Sequence, residues 1–137
     1  MDRMVRSVFI LSLTVHTTLG FSAEKEDEYS ECMKTIGATV NSLQTHIDEG
    51  KADAVASDAR NLQTAFKQVR EFWQKLDAAD AVRFAKQAER SLAAIARTAA
   101  AGQVSGVGPE MDNLRATCGS CHNVHRYALP GGGFRIF

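Results

Sequence analysis

YSECMKTIGATVNSLQTHI, residues 29–47, carries an apolar side chain at every third or fourth position. These residues are Tyr29, Met33, Ile36, Val40, Leu43 and Ile47. The alternating steps of four and three give the a/d spacing of a helix that packs against others in a left-handed bundle. Glu49-Gly50 follows, and glycine suits the left-handed conformation that ends many helices. The stretch therefore predicts a first helix that ends near residue 50.

The same spacing recurs in three later segments, which predict three further helices. The second has Val55, Ala59, Leu62, Phe66, Val69, Trp73 and Leu76. The third has Ala81, Ala85, Ala88, Leu92, Ile95 and Ala99. The fourth begins at Pro109 and has Met111, Leu114, Cys118, Cys121 and His125. Either Asp77 or Asp80 is expected to cap the third helix, and residues 102–108 are expected to form a glycine-rich loop.

Four helices joined by short connections predict an all-α domain, an antiparallel up-down-up-down four-helix bundle over residues 23–137. No segment alternates with the period of two that marks a half-buried strand. The chain leaves the last helix at Leu129-Pro130-Gly131, so residues 128–137 are expected to be a C-terminal tail. In this topology Met33 and His122 lie at similar depths at one end of the bundle. An extended coiled coil is the alternative, and the three regular breaks argue against it.

Residues 1–22 are interpreted as an export signal. Arg3 and Arg6 precede a mostly apolar stretch, Val8 to Leu19, that is too short to span a bilayer. Small residues follow, and cleavage is expected after Ser22. The mature protein is then expected in the periplasm or outside the cell, without a transmembrane segment; an uncleaved anchor is the alternative.

The composition is that of an ordinary globular protein of one domain. The chain has 137 residues, of which 45% are hydrophobic and 23% are charged. It carries 16 basic and 16 acidic residues without a basic cluster. Neither nucleic acid nor an anionic membrane surface is therefore expected as a partner.

Cys118-Gly119-Ser120-Cys121-His122 is the attachment pattern of c-type haem. Two thiols at this spacing add to the two vinyl groups of the porphyrin and tether the ring. The next residue, His122, is then held under the iron, where it offers an imidazole nitrogen. On a helix, positions 118, 121 and 122 share one face. The pattern predicts one covalent haem c with His122 as the proximal iron ligand.

Other roles for two cysteines at this spacing fit a position on a predicted helix less well. A dithiol redox pair normally lies at a strand-to-helix turn. A zinc site needs four ligands, whereas Cys118, Cys121 and His125 supply three. A disulfide between Cys118 and Cys121 would strain a helix. A helical interaction module without haem stays open as an alternative.

The bundle, with its attachment motif in the last helix, resembles the class II cytochromes c, the cytochrome c′ family, and most of all its low-spin methionine-ligated members. The resemblance covers essentially all of the mature chain. Residues 29–37 look like the family's distal segment, with Met33 at the position that lies over the distal face of the haem. The resemblance implies that Met33 is the distal iron ligand; its alternative role is packing.

Several further residues are expected around the haem. Phe72, Trp73 and Phe84 are expected to pack against it, Trp73 as core rather than as a redox relay. Arg126 matches the basic residue that family members often carry beside the proximal histidine. Tyr29 stands where many members have arginine, so the partner of the haem propionates is open among Arg83, Lys86 and Arg126.

The roles of four other features stay open. His125 is either a haem-edge residue or a surface histidine, and His46 is expected to be exposed. Cys32 is expected to be a buried, inert thiol, with a link between subunits as the alternative. The tail, Phe134 to Phe137, either folds back on the bundle or docks on a partner.

These features predict an exported electron-transfer cytochrome rather than an enzyme. Thioether ligation opposite histidine raises the haem potential, which suits an electron carrier. Exported or membrane-bound redox proteins are the expected partners, and a homodimer is left open. The alternative is a five-coordinate protein that binds diatomic gases such as NO and CO. A peroxidase is disfavoured because no distal His/Arg pair is evident.

Overall fold

The computed structural model describes residues 23–136 and is mostly helical. Its helices are α1 (Ala23–Asp48), α2 (Ala52–Lys75), α3 (Ala79–Ala100) and α4 (Gly108–His125). Helix α2 packs against α1 and α3, and α4 packs against α3. The prediction of a mainly helical chain with four packed helices is confirmed. The predicted signal peptide, residues 1–22, lies outside the described residues, as does Phe137.

Most buried side chains of the helices follow the predicted apolar repeat, but Leu76, the last residue of the second repeat, is exposed. The largest fully buried ones are Leu43, Leu62, Leu92, Ile95, Leu114, Val55 and Val107. In α3 the buried stripe consists mainly of alanines, and this helix makes the most extensive contact with α2. Small side chains let two helix backbones approach closely, so the alanine stripe accounts for the extensive contact between α2 and α3. No helix among residues 23–136 is long and apolar enough to cross a membrane.

Leu62→Ala is expected to lower the free energy of unfolding by about 2–5 kcal/mol, the usual cost of a cavity in a packed core. Leu62 is 1% exposed, whereas Leu76, just after α2, is 38% exposed. Leu76→Ala is therefore the matched control, with an expected loss within about 0.5 kcal/mol. Urea titration followed by circular dichroism measures both. Similar losses for the two variants would contradict the burial of Leu62 in the core.

The predicted end of α1 is confirmed, whereas the predicted cap of α3 is not. Gly50 adopts a left-handed φ of +67°, the conformation expected of a helix-ending glycine. Neither Asp77 nor Asp80 caps α3: the helix begins after Ala78, which makes no side-chain cap hydrogen bond. Asp77 itself is left-handed, with φ of +54°. Asp80 lies inside the first turn, where a negative charge is favourable.

Hydrogen bonds join the C-terminal part of α1 to the N-terminal part of α2. His46 Nδ1 lies 2.8 Å from Asp58 Oδ2, and Ser42 Oγ donates to the same oxygen at 3.0 Å. His46 was expected to be exposed, and this expectation was wrong: the residue is half-buried, with 27% of its side chain accessible. The carboxylate of Asp58 holds the imidazole against the first part of α2. The sequence pattern of α1 does not reveal this partner.

Two connections are more ordered than expected. The loop before α4 contains a 3-10 turn, Val104–Val107, whose two valines are buried. After α4 the chain forms a short antiparallel hairpin of β1 (Arg126–Ala128) and β2 (Phe134–Ile136). These three-residue strands are mostly exposed, so they carry no alternating pattern that the sequence could show. Gly132 and Gly133 turn the hairpin with φ of +90° and +82°, where other residues would be strained.

Candidate functional site

A cavity of about 530 Å³ lies among the four helices and the C-terminal hairpin. Each helix supplies part of its wall, and so does β2. The lining is largely apolar, with a few polar groups. A concave, mainly apolar cavity of this size is typical of a site for a small molecule or a cofactor.

Helix α4 places three residues of the predicted haem motif on this cavity. Cys118, Cys121 and His122 all line it and are half-buried. Both cysteines are free thiols. Burial raises the pKa of Cys118, and burial together with the neighbouring charges of Cys118 and Asp80 raises the pKa of Cys121 to about 11. Two protonated thiols therefore lie one helical turn apart on the cavity wall at neutral pH.

His122 presents a neutral imidazole to the same space. Burial lowers the pKa of its ring, and the positive charge of Arg126 lowers it further. The neutral ring has a free nitrogen lone pair, which is the form of histidine that binds a metal ion. The Arg126 side chain also lines the cavity and lies 4.0 Å from the ring centre of Phe134.

Met33, on α1, lines the cavity as well, although it is far from the motif in the chain. It is half-buried and packs against the hydrophobic core. The structure therefore brings a thioether, an imidazole and two thiols to one cavity from two different helices. From the sequence, the depths of Met33 and His122 along their helices predict that the two residues lie at the same end of the bundle.

An aromatic cluster forms another part of the wall. Trp73 is 2% exposed and lines the cavity, and its Nε1 donates to the hydroxyl of Tyr29 at 3.0 Å. Phe72 is not among the residues that line the cavity; it stacks on Tyr29 at a ring-centre distance of 4.2 Å. Phe84 does line it, with the guanidinium of Arg83 lying 4.7 Å from its ring centre. Two of the three aromatics predicted to pack at the site thus reach the cavity directly.

His125 proves to be part of this cluster. Its side chain is 12% exposed, its Nε2 lies 3.0 Å from Asp80 Oδ2, and its ring lies 4.7 Å from that of Trp73. Desolvation raises the pKa of Asp80, but the hydrogen bonds from His125 and the backbone of Ala81, together with the charge of His125, bring it below its ordinary value of 3.8. One signal for this burial was present in the sequence, because His125 continues the apolar spacing of α4.

The C-terminal hairpin closes part of the cavity. Gly133, Phe134 and Ile136 line it, and Arg135 Nε lies 3.4 Å from Glu26 Oε1 on α1. Of the two roles left open for the tail, folding back on the bundle is the one seen. Phe134 keeps 57% of its surface exposed.

The remaining candidate residues do not line the cavity. Cys32 is half-buried against the core and unpaired. Arg83 and Lys86 are exposed and are not among the residues that line the cavity. Within the described part of the chain, no three His, Cys, Asp or Glu residues cluster closely enough to hold a metal ion by themselves.

Comparison with known proteins yields no relative. No protein-family model, no curated protein and no solved structure matches this chain. The functional proposal is therefore based on the motif and on the cavity that it faces.

Proposed function

We propose that this protein is an exported c-type cytochrome that transfers single electrons through one haem c bound covalently by Cys118 and Cys121. One observation carries the proposal: the attachment motif of α4 faces a largely apolar cavity whose wall also holds Met33. Neither feature alone is as specific, because cavities are common and two-cysteine motifs serve several purposes. Together they supply covalent anchors, an imidazole, a thioether and room for a flat apolar cofactor.

The residues on the cavity wall fit this cofactor. Cys118 and Cys121 are free and face the cavity, as thioether formation with two vinyl groups requires. The neutral imidazole of His122 is suited to be the proximal ligand, and the thioether of Met33 the distal one. When bound, a haem supplies an iron that exchanges one electron between the ferric and ferrous states.

Aromatic residues on the cavity wall would limit the access of water to a bound cofactor. The buried ring of Trp73 and the half-buried ring of Phe84 cover the cavity with apolar surface. An apolar shell of this kind controls solvent access and therefore the redox potential of a metal site. Phe72 contributes through Tyr29, which it supports by stacking.

The proposal includes the antiparallel up-down-up-down order of the helices. Contacts at helix ends support it: Trp73, late in α2, bonds to Tyr29, early in α1. At the other ends of the same pair, His46 bonds to Asp58. His125, the last residue of α4, bonds to Asp80 in the first turn of α3. This order brings the chemistry-bearing residues of α1 and α4 to one end of the bundle.

Absorption spectroscopy of the full chain, produced in cells that attach haem c, tests the proposal. Pyridine haemochrome analysis is expected to show one covalent haem per chain. The oxidised and reduced spectra are expected to be low-spin, and the reduced form is expected to resist CO. Such a protein would exchange electrons with exported or membrane-bound redox proteins.

Two other results would each change the assignment. A high-spin spectrum with prompt CO binding would show an open iron site and favour a gas-binding protein in which Met33 only packs. Absence of covalent haem would contradict the cytochrome assignment altogether and favour a helical module without a cofactor.

A further inference from the structure

The hydroxyl of Tyr29 is hydrogen-bonded on one side only. Tyr29 is 8% exposed and lines the cavity. The indole N–H of Trp73 can only donate, so the bond at 3.0 Å makes the Tyr29 oxygen the acceptor. The phenol keeps its own proton to donate, and within residues 23–136 no acceptor receives it. The oxygen is thus satisfied by Trp73, and its O–H group is left to donate to a molecule bound in the cavity.

Apart from His122 and the thiols of Cys118 and Cys121, which the proposed function assigns to the iron and the thioethers, the other buried or half-buried donors on the cavity wall are already paired. Thr117 Oγ1 donates to the backbone oxygen of Asn113 at 2.8 Å. His125 pairs with Asp80, and the indole of Trp73 pairs with Tyr29 itself. In the described part of the chain, the O–H of Tyr29 is thus the buried donor that is left for a bound molecule.

The surroundings keep this phenol protonated. Burial raises its pKa well above the ordinary value of 10.0, and the nearby thiols of Cys121 and Cys32 add to the effect. The hydrogen bond from Trp73 acts in the opposite direction but is outweighed. Tyr29 therefore keeps its proton at neutral pH and can act as a hydrogen-bond donor.

We infer that the Tyr29 hydroxyl, held in place by the Trp73 indole, donates a hydrogen bond to a propionate carboxylate of the bound haem. The inference depends on the proposed function, because the cavity must hold a haem. The two propionates carry the only oxygen acceptors of a haem, so they are the acceptors available to a phenol on the wall. A hydrogen bond to an ionised carboxylate is shorter and stronger than one between neutral groups.

Tyr29→Phe in the haem-loaded full chain tests this bond directly. Phenylalanine keeps the ring that stacks on Phe72 and removes only the O–H. In the resonance Raman spectrum, the propionate bending band is expected to shift to the position of a carboxylate without this bond. The small shift of the same band on transfer to D₂O is expected to be lost. Tyr127→Phe is the matched control, since Tyr127 is 43% exposed, does not line the cavity, and its variant should leave the band unchanged.

A second measurement decides the question even if Tyr29→Phe fails to fold. The chain has two tyrosines, so in the Tyr127→Phe background 3-fluorotyrosine labels position 29 alone. The fluorinated phenol is more acidic and a stronger donor, so the band is expected to move in the direction opposite to that caused by phenylalanine. A propionate band that does not respond to either change overturns the inference and leaves the cytochrome assignment intact. Wild-type protein without covalent haem overturns both.

Discussion

Replacing Cys118 and Cys121 together with alanine is expected to abolish covalent haem attachment completely. Each thioether needs one of these thiols, and both face the same cavity. Intact-protein mass spectrometry measures the effect: the wild type should be heavier than its polypeptide by one haem, and the double variant should not. Each single variant should attach the group through one bond and with a lower yield.

The third cysteine of the chain provides the control. Cys32 is half-buried on α1 and packs against the core, but it is not among the residues that line the cavity. Cys32→Ala is therefore expected to keep the full mass of attached haem. Loss of haem in Cys32→Ala, or its retention in the double variant, would contradict the assignment of the anchoring thiols.

The double variant is also expected to melt at a lower temperature than Cys32→Ala. A molecule that binds the folded state and not the unfolded one stabilises the fold, and a covalently held one does so at any protein concentration. Without it, the walls of a cavity of about 530 Å³ lose their apolar contacts with the cofactor. Both variants replace cysteine by alanine in the same fold, so the difference between their melting temperatures reports on the loss of the cofactor.

The helices could be predicted because their apolar residues repeat every three or four positions. In α1, the spacing of Ile36 and Leu43 marks the face that is buried, and both side chains are less than one-tenth exposed. Such a pattern is local, so it does not depend on which elements the helix packs against. The position of the two cysteines and His122 on one face followed from the same geometry.

Features that depend on distant pairs of residues were not predictable in this way. His46 is half-buried because Asp58 on another helix receives its hydrogen bond. Phe72 adjoins the apolar stripe of α2, yet Tyr29 on α1, and not the cavity, is its stacking partner. The C-terminal hairpin has strands too short and too exposed to show an alternation. In each case the decisive contact is made by residues that the sequence does not place side by side.

Met33→Leu is expected to convert a low-spin, CO-resistant protein into a high-spin one that binds CO when reduced. Leucine is close to methionine in volume, so it keeps the packing against the core while removing the sulfur. Without the thioether, the iron is left with His122 as its protein ligand. The reduction potential is expected to fall, because a methionine ligand raises it. Absorption spectra with and without CO, and a redox titration, measure the three changes.

Met111→Leu separates loss of a ligand from loss of a methionine. Met111 lies on α4, is 2% exposed and is not among the residues that line the cavity. The same exchange at this position should leave spin state, CO binding and potential as in the wild type. If Met33→Leu instead behaves like Met111→Leu, Met33 is a packing residue. The spectrum of the wild type then decides between a different sixth ligand, if it is low-spin, and an open site for diatomic gases, if it is high-spin.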